Sequence, residues 1–551
     1  MKQKNFLAII DAIGPFFNSY HPEKTVNWSK IDFSRFERNK NLDPKRVDKL
    51  YTFFESFCKT VSHMGYNALS LDDLAHLCIF KFYPRKLEKK IAAYQKMYEK
   101  LFAIARSYHL DIYINTDIFF LNESIKKQLS RSNSTDLIYE ACRQGLTHFN
   151  ISGIILRIGE SDGIDVRGDF QSELLLKTPR QTNRLLKQLL PLFEEQQKHL
   201  IFRTWTVGAH PIGDLMWNEK TFDRTFANID SPSLIISMKY SDTDFFNHVA
   251  LNPLFFHKKW KKIIELQTRR EREGFGEFPY YVGHQYEQLA TELQDCDSLV
   301  GISVWCQTGG WSRWHNITFL SNSSIYNELN TYATLEIFKH NINAKKALKT
   351  YIPDKSHRKF ILKFTELFDQ LLYIKGFSDR PFYFKRVRIP PLLWVYWDHI
   401  TINPLMILLL RHVSAEKNMV KKPDIKNLKK LGKKAELKHL DYYLDTLELL
   451  RVCRKALDRQ YMTQKLSKKI ARYHVKYPDS FQTRLNFSTN SYKGAHLLLR
   501  LALRSRAKYR WQDYLLLSSF VNLLFRIIIS FYRKDMPKFV GKQAMKLDSI
   551  L

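Results

Sequence analysis

The sequence predicts a (β/α)8 TIM barrel followed by a basic, all-α C-terminal region. Two observations predict the barrel: eight short β-branched runs recur before residue 335, and amphipathic stretches separate many of them, the pattern of repeated βα units around a parallel sheet. A third marks the division of the chain: from residue 335 onward the periodicity is helical almost throughout, with lysine-rich loops such as KNMVKKPDIKNLKKLGKKAELKH at 417–439. A chain of 551 residues exceeds what one hydrophobic core usually organises, and 44% hydrophobic with 14% aromatic residues is the composition of a folded chain. The expected organisation is a barrel over residues 1–334 and one or two helical domains over 335–551.

In order, the strand candidates are FLAIID at 6–11, YNALSL at 66–71, LDIYIN at 110–115, ISGIILRI at 151–158, LIFRTWTV at 200–207, SLIISMKY at 233–240, WKKIIELQ at 260–267 and SLVGISVW at 298–305. The long polar stretch from His21 to Asn41 offers an alternative place for the first of them. Helical stretches include LDPKRVDKLYTFFESFCKTVSHMG before the second run and TNRLLKQLLPLFEEQQKH before the fifth. Eight strands with intervening helices favour a closed barrel over an open sheet.

The formal net charge of +32 is unevenly placed: residues 335–551 hold 45 Lys+Arg against 17 Asp+Glu, while the first 334 are nearly balanced at +4. Such a surface attracts anionic lipid headgroups, acidic glycans or nucleic acid, and salt weakens the attraction. The plain alternative is a solvated basic surface. No recognisable RNA or DNA module accompanies the lysines, so no specific nucleic acid is expected as a partner. The six cysteines, Cys58, Cys78, Cys142, Cys296, Cys306 and Cys453, form no CxxC pair or dense framework, which suits reduced thiols. No signal peptide is read at the N-terminus, where Asp11 interrupts the apolar run. The apolar segments Pro390 to Leu410 and Tyr514 to Tyr532 carry polar interruptions and read as buried or interfacial helices. The expected location is cytoplasmic, peripheral at the inner membrane face where the basic helices meet anionic lipid.

In a barrel enzyme the working side chains sit at the C-terminal ends of the strands. Strand four runs into Arg157 and Glu160, strand five carries Arg203 and leads to His210, and strand six ends at Lys239 before Asp242 and Asp244. Strand seven contains Glu265 and Gln267, and strand eight ends at Trp305, followed by Gln307, Trp311 and Trp314. Carboxylates on opposite sides of a ring supply a general acid and a general base or nucleophile, and tryptophans offer apolar faces to a sugar. The expectation is a carbohydrate site with Glu160, Asp244 and Glu265 catalytic and Arg157, Arg203, Lys239, Trp305 and Trp311 binding substrate. The competing reading makes Arg203 and Lys239 salt-bridge partners of Asp244 or Glu265, and the aromatic run ordinary rim packing.

No HExxH or paired histidine spacing is present, nor a Walker loop, GxSxG or GxGxxG. Neither a catalytic metal nor a cofactor is expected.

The order of segments resembles glycoside hydrolase family 67, the α-glucuronidases. MGYNALSLDDL at 64–74 resembles that family's second-strand segment, FRTWTV at 202–207 its arginine-bearing fifth strand, SLIISMKYSDTDFFNHVALNPLFF at 233–256 its lysine-to-aspartate segment, and IIELQTRREREGFGEFP at 263–279 its glutamate-bearing strand. The resemblance spans roughly residues 25–320 and implies an inverting hydrolase, with Glu160 as general acid and Asp244 with Glu265 activating water. It also implies that Arg203 and Lys239, joined by Arg157, surround a substrate carboxylate, and so an α-linked uronic-acid-containing or other acidic glycan. The chain departs from the family in three ways. Barrel-like sequence starts within the first few dozen residues, so the family's N-terminal β domain is not expected here; FFNHVA follows Asp244 where the family is more polar; and the helical region is unusually rich in lysine. Two other functions compete: a non-catalytic glycan-binding or scaffold protein at a membrane-associated polysaccharide pathway, and a glycosyltransferase using the DxD-like SDTD at 241–244.

Overall fold

All eight expected runs are strands, and in the computed structural model they close into one parallel barrel. The strands are β1 (Leu7–Asp11), β2 (Ala68–Asp72), β3 (Asp111–Asp117), β4 (Gly153–Arg157), β5 (His199–Arg203), β6 (Leu234–Lys239), β7 (Lys261–Gln267) and β8 (Leu299–Trp305). Each pairs with its neighbours in chain order, and β1 completes the ring by pairing with both β2 (Ile9 beside Ala68) and β8 (Leu7 beside Gly301). The structure describes residues 6–17, 31, 33–39, 41–118, 120–129, 134–158, 169–172, 175–205, 211–213, 215–216, 218–240, 251–257, 259–268, 280–306, 325–372 and 422–437, with single positions between 440 and 472. In the polar stretch considered as an alternative first strand, Glu37–Arg38 and Asn41–Leu42 pair with each other, outside the barrel.

The helices that matter here are α1 (Pro44–Met64), α2 (Arg85–Ser107), α3 (Ser134–His148), α4 (Pro179–Glu195), α5 (Glu219–Phe226), α6 (Gly283–Glu292), α7 (Ile325–His340), α8 (Ala344–Tyr351), α9 (Lys355–Leu372) and α10 (Lys422–Lys434). Local chemistry sets several of their ends. Asp43 accepts from the Lys45 amide ahead of Pro44 to open α1, and Gly65, at φ +98°, closes it in a left-handed turn that a side chain would strain. Thr178 and Gln181 form a reciprocal capping box at the start of α4. The division expected at 334/335 falls inside α7, which packs on the barrel: the Tyr66 hydroxyl donates to the Thr331 carbonyl and Lys339 Nζ to the Gly65 carbonyl. Beyond it, Phe360 and Phe364 of α9 and Leu428 of α10 extend the same continuous core.

Strand alternation divides the apolar residues into two layers. Ile10, Leu69, Ile114, Leu156, Phe202, Ile236, Ile264 and Val304 face the helices. Ile9, Ala68, Tyr113, Ile155, Ile201, Ile235 and Ile263 form a separate cluster that fills the barrel itself. At two places the strands approach closely enough to exclude any side chain. A Cβ on Gly301 would run into the Leu7 carbonyl oxygen, and one on Gly153 into that of His199. Gly301→Ala is therefore expected to force β8 away from β1 and to cost about 1–3 kcal/mol, the range of overpacked core positions. Urea denaturation measures it, and unchanged stability would mean that the barrel seam parts freely.

Among the described residues, no helix is long and apolar enough to cross a membrane. Cys58, Cys78, Cys142, Cys296 and Cys306 are buried free thiols. Cys453 and the apolar segments Pro390 to Leu410 and Tyr514 to Tyr532 lie outside the described residues.

Candidate active site at the carboxyl ends of the strands

The residue types change abruptly along each strand. Two positions beyond the apolar plug, on the same inward face, Ile9 gives way to Asp11, Ile155 to Arg157, Ile201 to Arg203, Ile235 to Ser237 and Ile263 to Glu265. Two positions further lie Lys239 and Gln267, and Asp72 and Asp117 continue the inward faces of β2 and β3. All of these polar side chains are buried, so each must be paired or hydrogen-bonded to be tolerated. The result is a ring of charge set on an isoleucine floor at one end of the barrel.

The ring holds two ion pairs of different geometry. Arg203 grips Glu265 with a fork: Nε donates to Oε1 and Nη2 to Oε2, both at 2.9 Å. The pair spans β5 and β7, skipping β6, where Ser237 stands beside Arg203 and donates its hydroxyl to Oε1 at 2.6 Å. Burial alone would raise the Glu265 carboxyl. The Arg203 charge and fork, the Ser237 hydroxyl and the nearby Lys239 outweigh it and hold the group below the ordinary glutamate range. In the second pair, Arg157 Nε lies 2.8 Å from Asp117 Oδ1 and Nη1 lies 3.9 Å from Asp72 Oδ1. Tyr98 fixes the end of β2 by donating its hydroxyl to the Asp72 carbonyl. Arg157 and Arg203 are direct neighbours on β4 and β5, so the carboxylates on either side offset two adjacent guanidinium charges.

Two tryptophans lie against these cations. The Arg203 guanidinium carbon is 4.9 Å from the Trp305 ring centroid, and Lys239 Nζ is 4.8 Å from that of Trp205. Such contacts are worth about 0.5–2 kcal/mol each and hold the indole rings at the rim.

A buried polar network on α7 ties the ends of β7 and β8 together. Asn330 donates from Nδ2 to the carbonyls of Thr268 (3.2 Å) and Tyr280 (3.1 Å) and accepts from the Val282 amide at 3.0 Å. Asn327 donates to the Cys306 carbonyl at 2.5 Å and accepts from the Thr268 hydroxyl at 2.8 Å. From the opposite side, Asp11 Oδ1 accepts from the Cys306 amide at 2.5 Å. Two asparagines thus fix the backbone immediately after Gln267 and Trp305.

Of the site residues expected from sequence, Arg157, Arg203, Lys239, Glu265 and Trp305 converge on this ring, while Glu160, Asp244 and Trp311 lie outside the described residues. The salt-bridge alternative describes Arg203 in this structure, since its fork is on Glu265. Sequence reading passed over Asp11, Asp72, Asp117, Ser237, Trp205, Asn327 and Asn330. The signal for the first four was present in the parity of each strand, because they share the inward face of the apolar plug. For the asparagines there was none, since buried polar positions on a helix look like surface ones. Among the described residues, no cluster of three His, Cys, Asp or Glu side chains is arranged to hold a metal ion.

No protein-family model matches the chain, and no curated protein matches it in sequence. In structure it is similar to a GH138 enzyme targeting pectin rhamnogalacturonan II, with TM-score 0.53 and 10% identity over 97% of this chain and 69% of that one. It also matches a family 89 glycoside hydrolase from Clostridium perfringens, with TM-score 0.46 and 8% identity over 85% of this chain and 53% of that one. A Thermobaculum terrenum O-GlcNAc hydrolase mutant matches with TM-score 0.35 and 11% identity over 88% and 94% of the two chains. What the first of these likenesses establishes is a shared fold, the closed parallel (β/α)8 barrel.

Proposed function

We propose that the chain is a glycoside hydrolase working at the carboxyl-end mouth of its barrel, on a glycan that carries a uronic acid or another acidic sugar. The observation that carries this reading is the buried ring of carboxylates and cations above the isoleucine plug, flanked by Trp205 and Trp305. Glycoside hydrolysis needs carboxylates around the anomeric carbon and apolar faces for the sugar ring. Arg157, Arg203 and Lys239 stand on three consecutive strands; in this reading Lys239 and the outer side of the two paired guanidinium groups meet a substrate carboxylate. The fold shared with a GH138 enzyme targeting pectin rhamnogalacturonan II supports this reading.

In this reading Glu160 is the general acid and Asp244 and Glu265 together activate water for attack with inversion. Inversion requires acid and base carboxylates about 6.5–9.5 Å apart. Glu265 is held ionised with both oxygens engaged, so its part is to fix the water and the developing charge, and Asp244 accepts the proton. The test is turnover of a panel of α-linked uronic acid glycosides, with the anomer of the first-formed product followed by NMR. Release of the β-anomer by the wild type is expected. Glu160→Gln and Glu265→Gln are each expected to lower kcat by about 100-fold or more. Equal activity of either variant removes that residue from the mechanism, and first release of the α-anomer overturns inversion.

The engagement of both Glu265 oxygens also favours a second reading, in which the ring binds a glycan without cleaving it. Saturable binding of acidic oligosaccharides without turnover of any panel member would select it.

A further inference from the structure

Helix α10 presents two chemically opposite faces. Leu428 and Gly432 are buried and Ile425 and Leu431 half-buried, and Gly432 sits so close to Leu440 that a Cβ there would run into its side chain. On the other side Lys422, Lys426, Lys429, Lys430 and Lys433 follow one another at helical spacing, with Lys434 at their edge, and all six are exposed. Asp424 is the only acidic residue of the helix. The apolar face is already packed within the protein's own core, so the helix has no greasy side left to insert elsewhere. What it offers outward is a continuous row of ammonium groups.

We propose that this lysine row docks the protein on an anionic lipid bilayer, lying flat on the headgroups without entering the acyl region. The type of cation and the shape of the surface both favour a bilayer. From residue 412 through 450 the chain contains lysine but no arginine. Arginine is the residue of planar, bidentate recognition of discrete phosphates and carboxylates, whereas lysine is a strongly hydrated point charge that is insensitive to partner geometry. A row of lysines on a rigid helix matches a diffuse, laterally mobile field of charge such as a headgroup plane, where each lysine contributes independently. The helix follows the barrel strands in the chain and packs against α9.

The experiment is co-sedimentation of the full chain with phosphatidylcholine vesicles, with and without phosphatidylserine. Binding is expected only with the anionic lipid, and it should disappear at about 1 M salt, where the screening length falls to roughly 3 Å. K426E/K429E/K430E/K433E reverses four exposed charges and should lower the partition coefficient at least about 100-fold. The glutamine version of the same four positions, which keeps side-chain length and solubility, should give a smaller loss and serves if the glutamate version folds poorly. Three results would each overturn the proposal: equal binding to neutral vesicles, undiminished anionic binding by both variants, or complete displacement from the vesicles by a soluble acidic polysaccharide at matched charge concentration.

Discussion

Arg203→Ala is expected to destabilise the fold by about 3–5 kcal/mol, because it strands Glu265 as a buried carboxylate without its cation. The size follows from the geometry. Glu265 is 1% exposed and Arg203 4%, so no water replaces the lost fork, and the Ser237 hydroxyl with the weaker influence of Lys239 does not make up for it. The two halves of a buried pair are strongly coupled, so the double variant Arg203→Met, Glu265→Leu is expected to recover most of the loss, since apolar groups of similar volume need neither solvation nor a partner. Urea denaturation of the wild type, Arg203→Met, Glu265→Leu and the double variant gives the coupling directly. A loss below about 1 kcal/mol in Arg203→Ala would place the pair in the range of solvated surface bridges and contradict its burial.

The same pair sets a pH dependence. Glu265 in the folded protein is held below the ordinary glutamate range, so its contribution to stability is complete above the unfolded-state pKa and is lost as the pH falls through the lowered folded value. In Arg203→Ala burial is opposed only by Ser237 and Lys239, and the carboxyl shifts upward. The penalty of that variant should therefore shrink as the medium becomes acidic, because a protonated Glu265 needs no cation. A penalty that stays constant down through the acid range would mean that Glu265 is not the stranded charge.

The second large effect is expected at Asn330, a residue with no role in proposed chemistry. Asn330→Leu preserves approximate volume on α7 but removes partners from the Thr268 and Tyr280 carbonyls and from the Val282 amide. The residue is 0% exposed, and each orphaned buried group costs about 1–3 kcal/mol, so a loss of about 3 kcal/mol or more is expected. Because Thr268 directly follows β7 and Tyr280 precedes α6, the variant should also loosen the frame around Gln267. Hydrogen exchange at Gln267 and Thr268 should quicken more than at the far end of the barrel. A stability loss without that local quickening would make Asn330 a general packing residue and not a clasp for the strand ends.

The barrel was legible because its signal is local and repeated. Runs such as LAIID, LIISMK and KKIIELQ announce buried parallel strands by β-branching alone, and eight of them in alternation with amphipathic stretches leave few topologies. The location of the site followed from the same pattern, since polar residues at the ends of such strands are costly without a purpose. Arg157, Arg203, Lys239, Glu265 and Trp305 could be picked out that way.

Their partners could not. A sequence assigns charge to Arg203 without saying whether it meets a substrate, Asp244 or Glu265. The decision came from β5 and β7 flanking β6, where the small Ser237 lets a guanidinium reach across to a carboxylate 62 residues away in the chain. Likewise the helical period places Asn327 and Asn330 on α7 but does not reveal that this face is turned inward against two strand ends. Alternation and burial preference act over neighbouring residues and are written in the sequence itself. Ion pairs and polar clasps act across the closed barrel, through distances that exist only once the chain has folded.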